Sequence, residues 1–300
     1  MSSLFTRVVQ KGIAGTAESV AFRIRRAFHD IRTRNALEYR GPDDAEFDQI
    51  EGRIKELGKP VLDLSVDLCE FNRFASEAGF PKEYHGGVDT PIYREKLLEH
   101  FVAWKFLGFG NSEYLPYIDV AAGMSPWVHM LRLRGYEAFA VDLTIPVEHS
   151  QLDYYRQEDA TQTSFEDESI GSASLQCAYE MFAGTHDIDL LKEFGRILKP
   201  GGRVVISPLY THTHACFYQT SEWFGKPCGD EGATAYVRRD CWGIPSSRKY
   251  SPETLHTRVW ESAHKYGLSP SLYVLRNKKE IGSGIYLHFI LVLDKLKAAS

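Results

Sequence analysis

"IDVAAGMSPWVHMLRLRGYEAFAVDL" (residues 118–143) reads as a strand, a turn of small residues, a helix and a second strand that stops on an acid. A ligand of a sheet built from such units lies beyond the carboxyl ends of the strands, against a helix N-terminus with unpaired N–H groups. Ala121, Ala122, Gly123 and Ser125 carry side chains too small to hold a ligand off the backbone, and Gly123 can take a positive φ. Asp142 ends the second strand, 23 residues after Asp119, where a carboxylate accepts both hydroxyls of a ribose. Its charge disfavours a phosphate at that place.

Outward from this unit the pattern continues. Strands are predicted at 117–120, 137–141, 153–157, 170–175 and 202–207, with helices near 126–135 and 186–198. The fold class is therefore α/β, a Rossmann-like, doubly wound, mainly parallel sheet. "LSPSLYVLRN" and "GIYLHFILVLDK" add a terminal antiparallel pair at one edge. Residues 208–250 are too long for a plain connection and are predicted to cover the site. On the N-terminal side, "DAEFDQIEGRIKEL" has helical spacing, "VLDLSV" reads as a short strand, and Thr90 with Pro91 opens a helix running to Phe109. Three regions follow: a basic amphipathic arm over 1–43, a mainly helical cap over 44–112, and a nucleotide-binding domain over 113–300.

The chain's net charge of −5 is unevenly spread, because residues 1–40 hold eight Lys or Arg against three Asp or Glu, leaving −10 on the rest. Nucleic acid is not favoured as a partner. Within "AESVAFRIRRAFHDIRTRNAL", Val20, Phe22, Ile24, Phe28 and Ile31 fall near helical spacing among arginines. This arm either touches anionic lipid or docks on its own domain. There is no apolar run of membrane-span length and no secretory signal pattern, so a cytoplasmic place is expected, with the inner face of a membrane as its variant. Five cysteines with no CxxC pair argue against a disulfide framework. His212, His214, Cys216, Cys228 and Cys241 match no standard zinc spacing, and no metal is expected.

Two cofactors put a ribose on an acid after the second strand, a nicotinamide dinucleotide and S-adenosylmethionine. The dinucleotide fingerprint wants G-x-G-x-x-G, and here the glycines are too few and Trp127 enters the helix. "QEDATQTSFEDESIGSASLQCAYEMF" (157–182) and "LLKEFGRILKPGGRVVISPL" (190–209) resemble the class I S-adenosylmethionine-dependent methyltransferases. The features that carry the resemblance are the acid–alanine pair Asp159 and Ala160, the run Phe165, Asp167 and Ser169, and "LKPGG" at Leu198 to Gly202. It implies S-adenosyl-L-methionine as cofactor, held by Asp119, Ala121, Gly123, Ser125, Asp142, Leu143, Asp159, Ala160 and Gln176. Ala121 and Ser125 stand where the family usually has glycine. From the cap, Tyr93 and Lys96, three apart on one helix face, are expected to reach the cofactor or the substrate.

Methyl transfer to a hydroxyl needs a base within hydrogen-bond reach. Glu180 matches the acid of the family's A-x-E element, and His212 and His214, at alternate positions of "YTHTHACFY", point the same way in an extended segment. These three are the expected catalytic residues. Trp223, Phe224, Tyr236 and Trp242 either wall a sugar or planar substrate or form the insert's own core. The reading is O-methylation of a small polar or saccharide acceptor. A catalytically inactive scaffold and a nicotinamide-dependent oxidoreductase are the alternatives.

Overall fold

The computed structural model describes residues 20–109 and 112–297; residues 1–19, the first part of the basic arm, lie outside the described residues. In chain order the elements are α1 (residues 20–32), α2 (Asp44–Glu56), β1 (Val61–Leu64), α3 (Leu68–Glu77), α4 (Pro91–Leu107), β2 (Tyr117–Val120), α5 (Trp127–Leu133), β3 (Ala138–Asp142) and β4 (Tyr155–Gln157). There follow β5 (Ile170–Gln176), α6 (His186–Ile197), β6 (Leu198–Leu209), β7 (Cys216–Thr220), β8 (Thr234–Arg238) and β9 (Ser247–Lys249). A helical stretch from Pro252 to Lys265 then leads to β10 (Leu268–Leu275) and β11 (Phe289–Lys295).

Eight strands form one sheet in the order β1-β10-β11-β6-β5-β2-β3-β4. From β2 the chain winds through β3 to β4 on one side and then crosses to β5 and β6 on the other, all in parallel pairs. The sheet therefore reverses its winding direction at β2, and the carboxyl end of that strand is a topological switch point, where ligands of open sheets collect. β10 and β11 pair antiparallel as expected. They do not end the sheet, however, because "VLDLSV" supplies β1, which pairs parallel with β10 and takes the edge. The region read as a helical cap thus contributes a strand to the sheet, and Ile50 and Ile54 of α2 join the core on one face of it. The other face is covered by α3, α4 and α5, with Phe71, Leu98, Phe101 and Trp127 in its core.

α4 begins as its sequence dictates: Thr90 accepts a hydrogen bond from the Tyr93 N–H, Pro91 occupies the first turn, and Gly108 ends the helix in the left-handed conformation. It has no solvent face in its middle, since every residue from Glu95 to Ala103 is buried. The "KPGG" run bulges between α6 and the rest of β6, shifting the register from Ile170 opposite Leu198 to Ser172 opposite Arg203. Gly202 is required there, because a Cβ would stand 2.8 Å from the Gly171 carbonyl oxygen.

Residues 208–250 build a second sheet, β8-β7-β9. It is fastened to the main domain through Arg248 on β9, which pairs with the fully buried Asp187 at 2.8 Å, while Tyr250 and Arg258 also donate to that carboxylate. The arm reaches the same sheet: Leu37 and Tyr39 exchange backbone hydrogen bonds with Val237 of β8, and Phe22 and His29 of α1 pack on Trp242.

Candidate active site

Two cavities open beyond the carboxyl ends of β2, β5 and β6. The first, about 460 Å³, is lined by Asp119, Ala121, Gly123, Ser125 and Gln176 from the strands and turn, and by Tyr84, Lys96 and His100 from the helical cover. The second, about 860 Å³, is lined among others by Tyr39, Glu180, Tyr210, Tyr218, Arg238 and Tyr286. Lys96 and Cys177 belong to the walls of both.

In the first cavity the turn after β2 is held by the end of β3. The Gly123 N–H donates to Asp142 Oδ2 at 2.9 Å, and the Thr144 N–H donates to Oδ1 at 2.9 Å. Gly123 has φ +53°, and a Cβ built on it meets nothing within 4 Å. Ala121 has φ +54°, a left-handed conformation that costs an L-residue about 1–2 kcal/mol and explains why glycine suits this position. Asp119 is 1 % exposed and its Oδ2 has no hydrogen-bond partner among the described residues. Burial, and then the nearby Asp142 charge, push its carboxyl up to about 8. Burial holds His100 down at about 3, so its ring is neutral.

Lys96, Glu95 and Glu99 form a buried charge cluster on α4. Lys96 Nζ lies 3.0 Å from both oxygens of Glu99, and Glu95 accepts the N–H groups of Tyr286 and Leu287. Burial alone lowers a lysine, but the Glu99 charge keeps Lys96 protonated. Glu99 also accepts from the Cys177 thiol and the Tyr286 hydroxyl, both at 3.1 Å. Cys177 follows β5 with φ +50°, and this left-handed turn places its thiol at the junction of the two cavities.

On the wall of the second cavity Glu180 is buried, with Oε2 unpartnered among the described residues. Burial raises its carboxyl, while the Lys249 and Lys96 charges oppose the rise. Lys249, at the end of β9, is itself pushed down to about 8 by burial, and its Nζ stands 3.7 Å from the Tyr210 ring centroid. Desolvation raises the phenols of Tyr39, Tyr210 and Tyr218, so they are neutral hydrogen-bond donors at physiological pH.

Residues 118–206 match the family model of a methyltransferase domain. The match spans the central strands and the turn after β2, and identifies a methyltransferase domain there. Similar solved structures include 1,6-didemethyltoxoflavin-N1-methyltransferase of Burkholderia thailandensis with bound 1,6-didemethyltoxoflavin and S-adenosylhomocysteine, 11% identical, covering 88% of this chain and 94% of that one with a TM-score of 0.46. An S-adenosylmethionine-dependent methyltransferase of Mesorhizobium loti is 14% identical, with coverage of 64% and 96% and a TM-score of 0.42. The geranyl diphosphate C-methyltransferase of Streptomyces coelicolor is 16% identical, with coverage of 75% and 88% and a TM-score of 0.39. No curated protein matches the chain.

The methyltransferase's first cavity fits its cofactor, S-adenosylmethionine. An unpartnered buried carboxylate suits a ligand carrying an ammonium and a sulfonium, and the space over Gly123 admits a ligand against the backbone. Of the residues the sequence nominates, Asp119, Ala121, Gly123, Ser125, Gln176 and Lys96 line this cavity. Asp142, Leu143, Asp159 and Ala160 stand outside its wall, at the ends of β3 and β4. Leu143 is exposed, and Asp159 is occupied by the Thr161 N–H and hydroxyl, which lower its carboxyl. Tyr93 is half-buried beside Tyr84 at the margin of the core and lines neither cavity.

The structure places the two histidines nominated as bases apart from both cavities. Among the described residues His212 and His214 do not line the second cavity; the Tyr39 ring, which does, has its centroid 6.3 Å from that of His212. His214 Nε2 instead meets the Tyr236 hydroxyl at 3.0 Å. The insert's tryptophans face elsewhere too, since Trp242 packs on α1 and Trp223 carries Lys226 over its ring. Four tyrosines, 39, 210, 218 and 286, take the wall position the sequence assigned to the insert's aromatics. Of these only Tyr210 had a local signal, since "SPLYT" (207–211) ends a predicted strand.

Proposed function

We propose that the methyltransferase transfers a methyl group to a hydroxyl of a polar, saccharide-sized acceptor seated in the larger cavity. The observation that carries this reading is Glu180, a buried carboxyl with an unpartnered oxygen on the wall of a cavity that shares Lys96 and Cys177 with the cofactor cavity. A cavity of about 860 Å³ is in the range that encloses drug-sized ligands. Its walls combine tyrosine rings, which pack on the apolar faces of a sugar, with Arg238, Asp240 and Glu38, which bond to hydroxyls.

S-adenosylmethionine supplies the methyl on a sulfonium, so the chain's own work is to hold, align and deprotonate. In this reading Asp119 receives the cationic end of the cofactor, Asp142 its ribose and Asp159 its adenine. Lys96 and Glu99 hold Cys177 and Tyr286 in place at the junction. Glu180 takes the acceptor's proton, and Lys249 stabilises the carboxylate form. The test is a panel of mono- and disaccharides, catechols and amines assayed for S-adenosylhomocysteine release. Turnover confined to amines, or to acids that need no base, would reject the hydroxyl assignment.

Asp142→Ala removes the acceptor of both the Gly123 and Thr144 N–H groups as well as the ribose partner. Cofactor affinity is expected to fall by about 1.5–3 kcal/mol, the scale of a lost hydrogen bond to a charged group, as read by calorimetry.

The arm bears on where the acceptor is met. In α1, Ile24, Phe28 and Ile31 are each about two-thirds exposed and Val20 is exposed beside them, on one helix face. The opposite face is engaged, with Asp30 accepting from Ser221 and Arg26 bonded to the Arg239 carbonyl. An exposed apolar stripe flanked by Arg23, Arg25, Arg32 and Arg34 suits an anionic bilayer surface. No helix among the described residues is long and apolar enough to cross a membrane. Cosedimentation with phosphatidylglycerol vesicles is expected to be lost in an Ile24→Ser, Phe28→Ser double variant, and equal binding to neutral vesicles would remove the electrostatic part of the reading.

A further inference from the structure

Away from both cavities, three ligating side chains converge where β6 hands over to β7. His212, His214 and Cys216 stand two residues apart on the segment that leads from β6 into β7, which bends at Thr213 and His214. One ligating atom from each lies within 4.8 Å of the other two. The two imidazole centroids are 4.5 Å apart, and the Thr213 hydroxyl sits 3.2 Å and 3.3 Å from their Nδ1 atoms, which orients both rings. His212 and Cys216 are buried and His214 is half-buried.

The chemistry of this set is selective. Two nitrogens and a sulfur suit zinc and its neighbours, whereas magnesium and calcium want oxygen. In a tetrahedral site with bonds of about 2.0–2.3 Å the ligating atoms lie roughly 3.5 Å apart, so the side chains need to close by about 1 Å. Tyr236 on β8, with its hydroxyl 3.0 Å from His214 Nε2, stands beside the remaining position.

We propose that His212, His214 and Cys216 bind one zinc ion, with the fourth position left to water or to the Tyr236 hydroxyl. The ion stands behind the acceptor wall rather than in it, so its role is to hold the 210–216 segment, and through His212 the Tyr39 and Tyr218 rings, in register. Cys228 and Cys241 take no part. The site is independent of the hydroxyl assignment above.

The full chain, stripped with chelator and titrated with Co²⁺, tests this. A single equivalent is expected to produce a thiolate-to-cobalt charge-transfer band in the near ultraviolet, abolished by Zn²⁺, together with a zinc-dependent rise in Tm. Cys216→Ser should lose the band, His214→Ala should weaken Zn²⁺ binding about tenfold or more, and Cys228→Ser and Cys241→Ser should bind as the wild type does. Absence of the band in the wild type overturns the proposal, even if no histidine variant folds. So does a band that survives Cys216→Ser or disappears with Cys228→Ser or Cys241→Ser.

Discussion

Asp119→Asn is expected to weaken S-adenosylmethionine binding by about tenfold to a hundredfold at pH 8 and to flatten the pH dependence of what remains. The carboxyl is buried on the wall of the smaller cavity with one oxygen unpartnered, and burial, followed by the Asp142 charge, raises it to about 8. Below that pH the ligand-free protein holds a neutral acid there. A cationic ligand binds the ionised form, so wild-type affinity should climb by up to about tenfold per pH unit until pH 8 and then level off. The same shift acts on stability with a definite sign. Between about pH 4 and 8 the folded chain keeps a proton on Asp119 that the unfolded chain has released, so this residue makes the ligand-free protein less stable as pH rises through that window. Asparagine removes that slope, and denaturant midpoints of the variant should decline less between pH 5 and pH 8 than those of the wild type. Calorimetry across the range checks both halves, and equal affinities with equal slopes would exclude Asp119 from the cofactor's charge recognition.

For Glu180→Gln the expected loss is in turnover, about 10²- to 10⁴-fold, with cofactor affinity unchanged within a few-fold. The amide keeps the shape and cannot accept a proton. Burial raises the carboxyl and the Lys249 cation opposes the rise most strongly, so the acidic limb of the rate profile should report Glu180. Lys249→Met removes that cation and should move the limb to higher pH, a displacement that a purely structural lysine would not cause. Turnover within threefold of wild type in Glu180→Gln would take this residue out of the proton transfer.

The local chemistry of the central unit was legible because it is local. A strand, a turn of small residues and a strand ending on Asp142 leave few arrangements for the backbone, and the parallel pairs β2–β3, β3–β4 and β5–β6 form at the places where apolar runs alternate with helical ones. "LKPGG" could be read in the same way, since proline and paired glycine determine backbone shape whatever surrounds them. β1 was legible as a strand but not as an edge, because its partner lies more than 200 residues away.

The acceptor side was not legible for a related reason. His212 and His214 were read as sharing one side of an extended segment, but the chain bends at Thr213 and His214, and where the two rings lie depends on the pairing of β7 with β8 and β9. That pairing turns them toward Cys216 and gives the cavity to Tyr39, Tyr210 and Tyr218. Tyr39 arrives there only because the arm adds backbone hydrogen bonds to β8. Lys96 read as a contact to cofactor or substrate, and only the packing of α4 against β5 and β6 reveals it as a buried ion between two cavities. The amino-acid sequence by itself thus determined the wound sheet, the turn of small residues after β2 and the helix that opens at Thr90. Tertiary structure decided which side chains face the acceptor, because facing is set by long-range strand pairing and helix docking, whose partners no local window contains.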